Sequence, residues 1–109
     1  MKRGEVWWAQ VDERCPVVFL SPLSAEMARA ILVVPPARRA IDQLIEIDVG
    51  AHEGLPFEGV VRIAFPEPGF IPCTWVTTLS IHAFLERAGT LSAEKLRRLD
   101  AALHRVGLE

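Results

Sequence analysis

Arg14 stands two places before Pro16 and next to Cys15, in the run Arg14-Cys15-Pro16-Val17-Val18-Phe19-Leu20-Ser21. A second pair, Arg38 and Arg39, follows Pro35-Pro36. A guanidinium is a planar fork that donates two parallel hydrogen bonds, so an arginine at a turn can hold a phosphate or a carboxylate. Each has a plainer alternative: Arg14 as a hairpin residue paired with Asp12 or Glu13, and Arg38 and Arg39 as a solvated loop. Thr77 and Thr78 carry hydroxyls that can donate to anionic oxygens, although threonine also simply favours strands. Trp75 offers a flat ring suited to stacking or to a core. Cys15 is either a thiolate favoured by the neighbouring cation or a small buried hydrophobe. His52, His82 and His104 fall in separate elements, and nothing in their spacing pairs two of them for acid–base work. No general base stands out.

The whole chain bounds these options. Its 109 residues suit one domain, 1–109, with a single core. Half the residues are apolar and charge is moderate, a composition that folds rather than stays disordered. No apolar run approaches the roughly 20 residues of a membrane helix. The start, Met1-Lys2-Arg3-Gly4-Glu5-Val6, lacks the long apolar stretch of a secretion signal, so the cytoplasm is the expected location. Cys15 and Cys73 have no second Cys or His at zinc spacing, which argues against a metal site, and no cofactor motif is present. A net charge of −2 argues against nucleic-acid capture by the overall field. It leaves room for a local basic groove, because screening limits what distant acids cancel.

The elements that must position these residues read mostly as strands. Glu5 to Val11 alternates, with Trp7 and Ala9 on one face and Val6 and Trp8 on the other. Asp12 to Cys15 is a short connector, predicting an antiparallel hairpin into a strand that Pro16 opens and Val17 to Leu20 fills. Ser24 is placed to cap a helical turn over 25–28. Ala30 to Val34 makes a third strand ended by Pro35-Pro36. Leu44 to Val49 alternates cleanly, Gly59 to Phe65 is another strand, and Pro66-Glu67-Pro68-Gly69 is a firm turn. Pro72 to Leu79 is the last long strand. Ser80 is expected to cap a short helix to about Arg87 that Gly89 stops. Ser92 caps the final helix, whose Leu96, Leu99, Leu103 and Val106 recur at helical spacing up to Gly107. The fold class expected is a small antiparallel, barrel-like α+β domain, mainly β, with a C-terminal helix.

Three stretches together carry a resemblance. Lys2-Arg3-Gly4-Glu5-Val6-Trp7-Trp8, Pro16-Val17-Val18-Phe19-Leu20-Ser21, and Ala88-Gly89-Thr90-Leu91-Ser92 with the helix ending Val106-Gly107-Leu108 resemble the MazF/PemK/Kid toxins of bacterial toxin–antitoxin pairs. The resemblance covers nearly the whole chain in order. It implies an SH3-like barrel, a homodimer, an antitoxin partner whose tail fills the RNA groove, and an mRNA interferase that cuts single-stranded RNA without metal or cofactor.

Such cleavage uses the RNA's own 2′-hydroxyl as nucleophile; the enzyme takes its proton, stabilises the phosphorane and protonates the leaving 5′-oxygen. On that reading Arg14 and Thr78 are the catalytic candidates, Arg14 as phosphate clamp. Arg38, Arg39, Thr77 and Trp75 are the RNA-binding candidates, with Trp75 stacking on an unpaired base. The chain departs from the family pattern where an Arg usually precedes the strand-opening Pro: here that position is Cys15. A Thr usual after the third strand falls on Ala37, and the family's acidic-Gln pair falls on Thr74 and Trp75. These departures keep two alternatives open, a barrel that binds RNA or antitoxin without cutting, and a poison of a protein target such as gyrase.

Overall fold

The computed structural model describes residues 1–37, 44–64 and 75–109. Among them are seven strands and one α-helix: β1 Glu5–Val11, β2 Glu13–Pro22, β3 Met27–Val34, β4 Leu44–Val49, β5 Gly59–Ala64, β6 Val76–Ser80, β7 Phe84–Thr90 and α1 Ala93–Arg105. The strands pair antiparallel in the order β4-β5-β3-β2-β1-β7, with β6 also paired to β3. The chain is therefore mainly antiparallel β with one C-terminal helix, the class its sequence implies.

Both faces of the central strands are covered, and this explains their unbroken apolar run. Val18 and Leu20 of β2 face a large core with Val6, Ile31, Ile47, Val49, Val61 and Ile63, over which Leu99, Ala102 and Leu103 of α1 pack. Val17 and Phe19 point the other way, into a smaller cluster with Ala9, Ala28, Ala30, Leu79 and Phe84. The adjacent tryptophans obey the same alternation: Trp8 packs on the helix side and Trp7 on the other, edge-on to Phe84. Burying each large side chain of these clusters contributes about 1.5–3 kcal/mol.

The final helix forms as its pattern predicts. Ser92 Oγ accepts from the Lys95 amide, closing an N-cap. Gly107, at φ +78°, turns the chain out: its amide donates to the His104 carbonyl and that of Leu108 to the Leu103 carbonyl, the paired bonds of a Schellman ending. Arg3 ties the helix to the sheet. Its guanidinium meets Asp100 at 2.8 Å and the Leu20 carbonyl at 3.0 Å, and pairs with Glu109.

Four expectations need correction. The hairpin between β1 and β2 is tighter than predicted: Asp12 alone turns, at φ +61°, and Val11 already pairs with Glu13. Aspartate is one of the few side chains that tolerates that conformation. Pro16 lies inside β2 rather than at its start. It is accommodated because β3 pairs with β2 only from Val17 onward, so the missing amide interrupts no ladder on that side.

Ser24 caps no helix; its Oγ accepts from the amides of Glu26 and Met27 and shapes the β2–β3 turn, and β3 starts at Met27. The helix expected over Ser80 to Arg87 is a single 3₁₀ turn, Ile81–Ala83, capped by Ser80, followed by β7. Pairing with β1 overrides the helix-forming residues of that stretch. Gly89 does not stop a helix but lets a loop approach: a Cβ there would lie 2.3 Å from the Glu53 carbonyl oxygen.

The turn at Pro66 to Gly69, the first part of the strand predicted from Pro72, and Arg38, Arg39 and Cys73 fall outside the described residues.

Candidate functional site

The site follows from a fork in the sheet. β2 and β3 pair as far as Val17 and Leu32. Beyond that β2 runs on with β1 alone, while Val33 and Val34 of β3 pair with Val61 and Val60 of β5. A groove of about 260 Å³ opens where they part. The hairpin side contributes Trp8, Glu13, Arg14, Cys15 and Pro16; the other side contributes Val33, Val34 and Pro35, with Phe57 and Glu58 from the link before β5.

Arg14 is exposed at this groove. Strand register explains its surroundings. Arg14 pairs with Gln10 and Pro16 with Trp8, so Arg14 and Trp8 are diagonal neighbours on one face. Glu86 of β7 pairs with Trp8 from the opposite edge. The guanidinium accordingly sits 5.0 Å from the Trp8 ring centroid, and Nη2 donates to Glu86 Oε2 at 3.2 Å. Both side chains of that ion pair are more than half exposed, 52% and 69%, so water and salt screen it and it is worth about 0–1 kcal/mol. Arg14 can exchange Glu86 for a stronger anion at little cost.

Cys15 is free and half-buried. Burial, and then the charge of Glu13, push its thiol up from the ordinary value. The neutral thiol is a poor nucleophile, which leaves Cys15 its packing role against Val17 and its neighbours.

A second polar cluster fixes the end of β3. Ala37, the residue standing where the resemblance places a Thr, donates its amide to the Glu46 carboxylate at 3.1 and 3.3 Å. Arg62 Nε reaches the same carboxylate at 2.8 Å, and its Nη2 donates to the Pro35 carbonyl at 2.6 Å. The Arg62 guanidinium also lies 5.3 Å from the Trp75 ring centroid. Trp75 is thus packed between this cation and the large core, beside a small cleft with Ile31, Ile63 and Leu108, not in the groove with Arg14.

Thr77 and Thr78 pair with Ala30 and Arg29 on the half of β3 that faces away from the fork, and neither lines the groove. His52 and His82 are exposed in 3₁₀ turns and His104 in the last turn of α1. Among the described residues no three His, Cys, Asp or Glu side chains converge as metal ligands, and no helix is long and apolar enough to cross a membrane.

The sequence singles out Arg14 by type and position but not the residues around it. Trp8 and Glu86 reach it through the register of β1 with β2 and β7, and the link after β4 brings Phe57 and Glu58 to the same groove. Adjacent tryptophans were the one signal in the chain, since two of them in a strand must serve two faces.

A comparison with curated proteins found no match. The family model for PemK-like, MazF-like toxins of type II toxin–antitoxin systems matches residues 2–107. The fork-and-hairpin groove therefore sits in a chain that belongs to the PemK-like, MazF-like toxin family.

Proposed function

We propose that this toxin is a metal-independent endoribonuclease acting on single-stranded RNA, with Arg14 as the clamp on the scissile phosphate. The observation that carries the reading is an exposed Arg14, stacked on Trp8 and weakly paired with Glu86, in a groove that Glu13 also lines. The Glu58 carboxylate is taken by the Ala51 amide. Arg14 and Glu13 supply two of the parts that 2′-hydroxyl attack needs, a phosphate clamp and a base. The Glu13 carboxylate takes the 2′-hydroxyl proton, the attacking oxygen bonds to phosphorus as the bond from phosphorus to the 5′-oxygen breaks, and the 5′-oxygen leaves with a proton from water. The products are a 2′,3′-cyclic phosphate and a 5′-hydroxyl. Arg14 forks onto the phosphorane oxygens as their charge grows. Thr78 stands beside Arg29 rather than in the groove and takes no part in this step.

Membership of the toxin family implies an antitoxin partner; a homodimer and action in the cytoplasm are part of the same proposal. The sheet face away from α1 suits self-association, because Trp7, Val11, Leu32 and Ile81 are only partly buried there. Light scattering at micromolar concentration tests the dimer, and a monomer mass would overturn it.

A second reading, binding without cleavage, is favoured by the neutral Cys15 thiol and by Ala37 at the family's Arg and Thr positions. Incubation with single-stranded RNA in EDTA separates the two. Cleavage with 2′,3′-cyclic phosphate ends supports the nuclease; tight binding with intact RNA supports the binding module.

A further inference from the structure

We infer that Trp8 and Phe57 form a slot for one unpaired nucleobase next to the Arg14 phosphate clamp. The inference deepens the RNA reading and rests on it.

Phe57 is 45% exposed, and it is the one aromatic among the exposed large hydrophobic residues of the described chain. A lone exposed apolar residue needs no explanation. This one lies at a groove, with its ring centroid 6.1 Å from that of Trp8 and the two planes at 76°. Two rings set near a right angle make a corner. A third flat ring can lie against one of them while its edge meets the other, the two arrangements aromatic pairs prefer.

The chemistry on either side of the corner selects the occupant. Arg14 lies over Trp8, so a phosphate held by its guanidinium places the attached nucleotide beside the corner. Glu13 lines the same groove and disfavours a second anion beside the clamp. A neutral, flat, apolar-faced group joined to a single phosphate satisfies both conditions. The groove, at about 260 Å³, is smaller than the roughly 300–1,000 Å³ that encloses a drug-sized ligand, and suits one ring system. Every base has a π-face, so the slot binds an unpaired base by stacking whatever its identity.

The test uses the full chain and non-cleavable 2′-O-methyl RNA of about ten nucleotides, fluorescently labelled, beside an abasic oligomer of the same length. Phe57→Ala is the variant; its exposed side chain supports no core, and thermal melting checks that the fold is kept. The expected result is roughly 5- to 100-fold weaker binding of base-bearing oligomers by Phe57→Ala, with no change for the abasic oligomer. Phe57→Trp should restore most of the loss. Equal affinities of wild type and Phe57→Ala for base-bearing RNA would overturn the slot while leaving the RNA reading intact. Failure of the wild type to bind any oligomer would overturn both, so the two failures are told apart.

Discussion

The guanidinium of Arg14 lies over the ring of Trp8, its diagonal neighbour across the β1–β2 hairpin, with the Cζ 5.0 Å from the ring centroid. Stacking on a fixed ring limits where the cation can point and keeps its hydrogen-bonding edges available, while Glu86 takes up only one of its nitrogens.

Glu86 competes with phosphate for Arg14. Glu86→Gln should lower the KM for RNA several-fold while changing stability by no more than the about 0–1 kcal/mol of an exposed ion pair. Steady-state kinetics at low and high salt check this, and the gain should shrink as salt rises. An unchanged KM at low salt would show that Glu86 does not restrain the clamp.

Cys15 should be dispensable for cleavage. Burial holds its thiol protonated, so Cys15→Ala is expected to keep the wild-type rate within about twofold. In a Cys73→Ser background the Cys15 thiol should react with iodoacetamide more slowly than a free thiol at neutral pH. Rapid alkylation with loss of cleavage would restore the thiolate to the mechanism.

The helix docks through few side chains, so single truncations are costly. Leu103 is fully buried, and Leu103→Ala should destabilise the fold by about 2–5 kcal/mol. Ser92→Ala, which leaves the Lys95 amide without its cap, should cost about 1 kcal/mol. Urea denaturation measures both; a Ser92→Ala loss as large as that of Leu103→Ala would mean that the cap does more than close the helix.

Arg3 links stability to acid. Its hydrogen bond to Glu109, and then its charge with that of Arg29, hold the Glu109 carboxyl below its ordinary value of 4.5. A depressed folded-state value means that the unfolded chain binds the proton more readily. The contribution is therefore present above pH 4.5 and is lost as pH falls through the folded value. The melting temperatures of wild type and Glu109→Gln should differ at neutral pH and converge on acidification. A difference that stays constant would remove this pair from the acid response.

Much of the fold was legible because its signals are local. The alternation in Glu5 to Val11 and Leu44 to Val49, and the Ser92 cap with its leucine stripe, each depend on neighbours within one element. The stretch Ile81 to Thr90 was not legible, since its residues suit a helix and become a strand only by pairing with β1. Pro16 misled for a related reason: its place inside β2 is permitted by where β3 diverges, which no local rule reports. Of the site, Arg14 was visible by residue type and position. Glu86 and Phe57 were not, since they arrive from 72 and 43 residues further along the chain through sheet register and a link. Thr78 offers a hydroxyl suited to phosphate, but register sets it beside Arg29 instead of Arg14.

The most direct measurement is the cleavage rate of single-stranded RNA in EDTA by wild type and by Arg14→Ala, with the product ends identified and the fold of the variant checked by melting. The expected result is wild-type cleavage leaving 2′,3′-cyclic phosphates and a loss of about 10²–10³-fold in the variant, the scale of removing one preorganised donor to a developing oxyanion. Equal rates in the two proteins, with the fold kept, would contradict the assignment of Arg14 as the clamp.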